Sequence, residues 1–223
     1  MRRVVLLAAA MALALLLASG VALAVNRIGT DGPDTLRGTN GDDNLIGQGG
    51  DDVLFGLGGS DNMQGGEGKD VVAGGNEREP KGGDKQLMGG EGNDLVLGGT
   101  GSDLLLGDEG RDLVDGGRGK DRAFGGDGSD VVVDGPFREG AEDYVSGGEG
   151  NDILAVDNRP AAKDVVSCGD GFDRVLADRK DEVARDCERV AVGNAEIREV
   201  IEKLEETGFI DEFFEALPPF PEG

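Results

Sequence analysis

The chain of 223 residues is acidic and rich in glycine, with 46 Asp and Glu against 22 Lys and Arg, 42 glycines and only 4% aromatic residues. The net charge of -24 disfavours nucleic acids and anionic membranes as partners, because both require a basic surface, and it favours cations. Histidine is absent, which excludes Ser-His-Asp hydrolysis, Cys-His nucleophiles and His-ligated zinc.

The first 24 residues have the pattern of a secretory signal peptide. A positive start precedes an apolar run from Val4 to Leu17, and Ala22-Leu23-Ala24 forms a small-x-small cleavage site. The apolar run is shorter than the ~20 residues that a membrane-spanning helix needs. Cleavage would leave 20 basic and 46 acidic residues, a net charge of -26. The pattern predicts a secreted, extracellular protein without a membrane span.

A nine-residue unit of the form G-G-x-G-x-D-x-U-x, where U is apolar, is written repeatedly from Gly29 to Leu176. Clean copies begin at Gly65, Gly89 and Gly147, and fifteen units can be counted when imperfect ones are included. Each glycine-rich hexad can adopt positive-φ turns, and the x-U-x that follows is a strand too short to stand alone. Two units would make one coil, so units eighteen residues apart would stack.

The U positions are the predicted core, because they alone are regularly apolar. Stacked coils would bring these side chains into two facing inward columns and give each unit a core that it lacks by itself. The predicted core residues are Leu36, Leu45, Leu54, Met63, Val72, Val96, Leu105, Val114, Ala123, Val132, Leu154 and Val175.

The repeat resembles the RTX, or haemolysin-type, calcium-binding nonapeptide over about two thirds of the chain. The resemblance implies a parallel β-roll in which several calcium ions lie between stacked turns, held by the sixth-position Asp residues and by turn carbonyls. The chemistry agrees, because calcium takes 6 to 8 oxygen ligands, whereas magnesium prefers to keep its waters. The resemblance assigns as metal ligands Asp34, Asp43, Asp52, Asp61, Asp70, Asp94, Asp103, Asp112, Asp121, Asp130, Asp143, Asp152, Asp164 and Asp173, of which Asp143 and Asp164 lie in irregular units.

An acidic, glycine-rich chain can also be plainly disordered. In a disordered chain, nothing would keep the apolar residues at the same position of every nine-residue unit. The repeat therefore favours a folded roll. Without metal, however, we expect the chain to be unfolded.

Three units are longer than nine residues, and all three are even-numbered when units are counted from Gly29. They are the sixth (74–88), the twelfth (134–146) and the fourteenth (156–167), so their insertions should emerge from one edge of the roll. Basic residues in these insertions are explained by charge neutralisation or by contact with a partner.

The sixth unit has Lys85 where Asp is expected, which breaks the series of even-unit Asp residues, here called the even ladder. The odd ladder is intact and comprises Asp34, Asp52, Asp70, Asp94, Asp112, Asp130, Asp152 and Asp173.

Beyond the repeats, the sequence predicts two further segments. Cys168 and Cys187 are expected to form a disulfide in an oxidising compartment and to pin a closing coil at 177–193. Residues 194–217 show helical spacing of apolar residues and are predicted to form an amphipathic tail. Odd units also have apolar residues beside U, which would face outward, and the tail is predicted to cover them.

Together these patterns predict an all-β fold, a parallel β-roll at 27–176 with a short C-terminal helical tail. The predicted function is secreted calcium binding by a non-catalytic protein whose folding is coupled to the metal. The alternative is a cell-surface adhesion or interaction protein that uses calcium only structurally. An enzyme is disfavoured because the insertions are short and no separate catalytic domain remains.

Overall fold

The computed structural model describes residues 23–75, 85–134, 141–156 and 161–192, which form two parallel nine-stranded sheets. The first sheet contains the strands of the even units, and the second sheet contains those of the odd units. The strands of the first sheet are β1 (Asn26–Ile28), β3 (Asn44–Gly49), β5 (Asn62–Glu67), β7 (Lys85–Gly92), β9 (Asp103–Gly110), β11 (Arg122–Gly128), β13 (Tyr144–Gly150), β15 (Val165–Gly171) and β17 (Glu182–Val183). The strands of the second sheet are β2 (Thr35–Arg37), β4 (Val53–Leu57), β6 (Val71–Gly75), β8 (Leu95–Thr100), β10 (Leu113–Arg118), β12 (Val131–Val133), β14 (Ile153–Ala155), β16 (Arg174–Ala177) and β18 (Arg189–Val192).

The chain alternates between the two sheets, so that each coil contributes one strand to each of them. Every strand pairs in parallel with the strands two before and two after it. Where units are regular the register is eighteen residues, as for Leu45 and Met63 in the first sheet or Val114 and Val132 in the second. The prediction of an all-β parallel β-roll is therefore confirmed for the described residues.

The core lies between the sheets and consists of the U side chains. All fifteen U positions are buried, and every one except Leu36 is at most 1% exposed. Leu87, Val145 and Val166 fill the U positions of the three long units. The long units therefore add to the same core as the regular ones.

The insertions do not disturb the register. Val72 pairs with Val96 across the first insertion, Val132 with Leu154 across the second, and Leu154 with Val175 across the third. All three insertions occur where the chain passes from the second sheet to the first, which is one edge of the roll. We call this the even edge, because it carries the hexads of the even units, and the opposite edge the odd edge.

At the C-terminal end, a disulfide joins Cys168 in β15 to Cys187 in the last coil. β17 and β18 add this last coil to the two sheets. The predicted tail at 194–217 lies outside the described residues, as does nearly all of the predicted signal peptide. Over the ranges that the structure describes, no helix is long and apolar enough to cross a membrane.

The outer face of the second sheet is apolar along several coils, as predicted for the odd units. Leu95 and Val131 on this face are only 7% and 4% exposed. Large apolar side chains are more exposed at the ends of the roll: Ile28 is 61% exposed near the N-terminal end, and Phe172, Val190 and Val192 are 53%, 42% and 58% exposed near the C-terminal end. The C-terminal end and the outer face of the second sheet are apolar surfaces that the predicted tail could cover.

Truncation tests where the tail packs. If residues after Gly193 cover the outer face of the second sheet, their deletion should expose an adhesive surface and about double the mass measured by light scattering in calcium, or raise it further. The competing arrangement has the tail plug only the end of the roll near Val175. A truncated protein that stays as monomeric as the full chain would contradict docking on the sheet.

Candidate metal centre

The sixth-position Asp residues lie at the edges of the roll, just before the strands. Of the fourteen predicted site residues, all but Asp34 are buried, with at most 3% of each residue exposed. The odd ladder runs along the odd edge and the even ladder along the even edge. Strand register pairs Lys85 with Asp103, so Lys85 takes the place of a carboxylate in the even ladder.

Each ladder is connected by hydrogen bonds between successive coils. The backbone N–H of one Asp donates to Oδ1 of the Asp in the next coil, as from Asp94 to Asp112 and from Asp112 to Asp130, both at 2.8 Å. The same bond recurs in the even ladder, for example from Asp43 to Asp61 at 2.9 Å. One oxygen of most ladder carboxylates therefore links successive coils.

The second oxygen of the ladder carboxylates has a different environment. In the odd ladder, Oδ2 is buried and has no hydrogen-bond partner among the described residues at Asp52, Asp70, Asp94, Asp112, Asp130, Asp152 and Asp173. Buried polar atoms normally have partners, and leaving one unsatisfied costs about 1 to 3 kcal/mol, or more if it is charged. A buried carboxylate oxygen that lacks a partner in one coil after another indicates a missing ligand.

Glycine at the first position of the hexad makes room for this oxygen. A Cβ on Gly47 would collide with Oδ2 of Asp52 and with the carbonyl oxygen of Gly65 in the next coil. The same double collision occurs at Gly107, with Asp112 and Gly125. The absent side chain therefore brings a carboxylate oxygen and a carbonyl oxygen together at each layer of the odd edge.

The donors at these layers suit a hard divalent cation. They are carboxylate and carbonyl oxygens only, which is the ligand set of calcium. A column of carboxylates at a strand spacing of ~4.8 Å also requires a counter-charge. The residues present therefore fit the metal that the repeat implies, with Asp side chains and first-position glycine carbonyls as the donors.

Burial makes ionisation of the ladder costly when no cation is present. Desolvation, with neighbouring Asp residues adding to it, raises the pKa of Asp94 to about 8. Burial likewise raises the pKa values of Asp112 and Asp130 to about 7, and those of Asp70 and Asp152 to about 6. The hydrogen bonds from the preceding coil oppose these increases without cancelling them.

The ends of the ladders are completed in ways that the repeat did not predict. Oδ2 of Asp34 accepts hydrogen bonds from the backbone N–H and the hydroxyl of Thr30, at 2.6 and 2.9 Å. At the other end, Asp173 donates its backbone N–H to Glu188, at 2.9 Å. Glu188 lies outside the glycine-rich repeat, so only its spacing from Asp173 could have indicated this role.

Sequence reasoning also missed Asp134, the first residue of the twelfth unit. It is 3% exposed, and ligand atoms of Asp121, Asp134 and Asp143 all lie within 4.8 Å of one another. Burial and the adjacent Asp143 raise the pKa of Asp134 to about 9. The signal available in the sequence was an acidic residue at a position that is glycine in most units.

A second acidic row runs along the outside of the odd edge. Residues at the third position of the odd hexads stack in register, namely Glu67, Glu91, Glu109, Asp127, Glu149 and Asp170. Like charges directly opposite on neighbouring strands destabilise a sheet. This row increases the repulsion that bound cations would have to offset.

The raised pKa values predict how the metal-free roll responds to pH. Because the folded-state pKa values lie above the unfolded value of 3.8, their contribution to stability is complete below that value. It is lost as the pH rises through about 6 to 8. In metal-free buffer, strand content by circular dichroism should therefore fall between pH 5 and pH 8.

Matched variants distinguish the effect of the buried carboxylates on the pH dependence from an effect of net charge. Asp94→Asn removes a buried carboxylate and should weaken the pH dependence, whereas Asp127→Asn removes an exposed charge and should leave it unchanged. Metal-free stability that is constant or rises over this range would contradict the assignment.

Comparison with known proteins agrees with the geometry. The family model of the RTX calcium-binding nonapeptide repeat (four copies) matches residues 28–63, 47–77, 88–123, 97–132 and 139–157, which together cover half of the chain. No curated protein matches the chain significantly. The repeat, the parallel roll and the buried ladders point to the same conclusion: the chain belongs to the RTX calcium-binding nonapeptide-repeat family.

Proposed function

We propose that this protein is an extracellular, non-catalytic calcium-binding protein whose folding is driven by the metal. The observation that carries the proposal is the row of buried Oδ2 atoms along the odd ladder, each without a hydrogen-bond partner among the described residues. Calcium between the coils would supply that partner and offset the desolvation of the carboxylates.

Metal binding is coupled to folding because the negative charge of the chain is large and its apolar core is small. The core is thin, with one U side chain per unit and a few additions such as Val156, and the mature chain would have a net charge of -26. Because the stacked donors exist only in the folded roll, the free energy of metal binding becomes free energy of folding. Export is supported by the N-terminal signal pattern and by the Cys168–Cys187 disulfide, which suits an oxidising compartment.

Calcium titration of the chain from Val25 onward tests the proposal. At pH 8, circular dichroism should show little strand in chelator and a cooperative gain of strand as calcium is added. Magnesium should be much less effective, because it retains its hydration shell. A fully folded spectrum in excess chelator, or an equal response to both ions, would contradict the proposal.

Substitutions in the two ladders should differ in their effects. Asp112 contributes to the unbroken odd ladder next to Asp94 and Asp130, so Asp112→Ala should raise the calcium midpoint of folding by about tenfold. Lys85→Asp restores a carboxylate to the even ladder and should leave the midpoint unchanged or lower it. Equal, negligible shifts for the two variants would argue against ion sites in the ladders.

A second candidate function is adhesion or interaction at a cell surface, with calcium serving only the structure. It is favoured by the position of all three insertions, which occur in connections at the even edge. Capture of a surface partner that depends on the insertions, with calcium present throughout, would favour this function. Hydrolase screening of the calcium-loaded protein tests the proposed absence of catalysis.

A further inference from the structure

Asp134 places a side chain where the repeat normally has none. Its backbone N–H donates to the carbonyl oxygen of Ala155 at 2.9 Å, as the first-position Gly38 donates to Phe55 at 2.7 Å. The two residues therefore occupy equivalent places at the even edge. The twelfth unit has thirteen residues, so that nine positions separate Asp134 from its ladder carboxylate, Asp143, instead of five.

The Asp134 carboxylate points into the interior without being needed there for packing. No N–H group or hydroxyl of the described residues donates to either of its oxygens, both of which are buried, and a hydrogen bond with the Asp143 carboxyl forms only when one of the two acids is protonated. In the next coil the equivalent place is taken by Val156, which donates its N–H to Leu176 and is fully buried in the core. An apolar side chain is thus accommodated at this position, whereas Asp134 adds two unsatisfied oxygens.

The surroundings concentrate negative charge. Asp121 and Asp143 are 2% and 3% exposed, and one ligand atom of each lies within 4.8 Å of one on Asp134. The neighbouring Lys120 lies at the surface, where its Nζ is 3.8 Å from Glu142 and both side chains are largely exposed. Three buried carboxylates therefore lie close to one another.

We infer that Asp121, Asp134 and Asp143 form a three-carboxylate calcium site that binds more tightly than the sites between ordinary coils. The inference rests on the proposed function, and it concerns a ligand that the repeat consensus does not contain. Affinity for calcium rises with the number of charged ligands and with the rigidity of the site. The cluster has one carboxylate more than a layer of regular repeats, and each of its residues lies directly beside a strand: Asp121 before β11, Asp134 after β12 and Asp143 before β13.

The chain contains a natural spectroscopic probe of ion binding at this site. Tyr144 is its single tyrosine, tryptophan is absent, and Tyr144 directly follows Asp143 at the start of β13. Terbium(III) replaces calcium at oxygen sites and luminesces when a nearby aromatic side chain transfers energy to it. Excitation through tyrosine therefore reports mainly ions near the cluster, and distant layers of the roll contribute little.

The experiment titrates terbium into the full mature chain at a calcium concentration that keeps it folded, as checked by circular dichroism. Wild type should show a tyrosine-sensitised phase at low terbium. Asp134→Asn should shift this phase to about tenfold higher terbium or abolish it. Asp134→Gly, which restores the consensus residue, should do the same. Asp127→Asn removes an exposed carboxylate from the preceding coil and should leave the phase unchanged.

Two outcomes would overturn the inference. An unchanged phase in both Asp134 variants would show that Asp134 serves only as a hydrogen-bonded neighbour of Asp143. Loss of the fold in both variants at saturating calcium would show a structural role instead of a binding one. Failure of the proposed function is distinguishable, because wild type itself would then show no calcium-dependent folding.

Discussion

Desolvation of one carboxylate per repeat is the physical constraint on which this structure depends. A conventional domain places charge outside and a thick apolar core inside, whereas here the interior between the sheets contains both the U side chains and the ladder aspartates. Hydrogen bonds from the preceding coil satisfy Oδ1 but leave Oδ2 unsatisfied along the odd ladder. We propose that a cation between the coils supplies the missing partner, and calcium matches the oxygens that are present.

Glycine determines where those cations can lie. At the first position of the hexad, the missing side chain leaves space for Oδ2 of the same repeat and for a carbonyl oxygen of the next coil. At the second position the backbone adopts a positive φ, as at Gly66 with 125°, which L-residues rarely adopt. Gln48, Leu57 and Asp108 nevertheless occupy this conformation. Glycine at the first position thus leaves room for the oxygens that would bind the metal. Glycine at the second position instead allows the backbone conformation of the turn.

The nine-residue period was sufficient to predict the roll, its register and its core, because each repeat places the same residue types in the same local geometry. Leu45, Met63 and the equivalent residues of the other units could be assigned to the core from their position in the nine-residue unit alone. The pattern failed where units depart from the consensus. Asp134 was overlooked because it stands at a glycine position, and Glu188 because the closing coil lacks the glycine hexad. Such residues are recognised only when the coils are stacked, since their partners lie nine to fifteen positions away along the chain, outside the regular spacing of the repeat.

Amide hydrogen exchange tests the central claim most directly, because the ladder is built from backbone N–H groups of the aspartates themselves. The amides of Asp94, Asp112 and Asp130 each donate to the carboxylate of the next coil. If cations hold the coils together, exchange at these amides should be strongly slowed in calcium and close to that of an unfolded chain in chelator at the same pH. Equal protection in calcium and in chelator would show that the buried carboxylates are stable without metal, and would contradict the account.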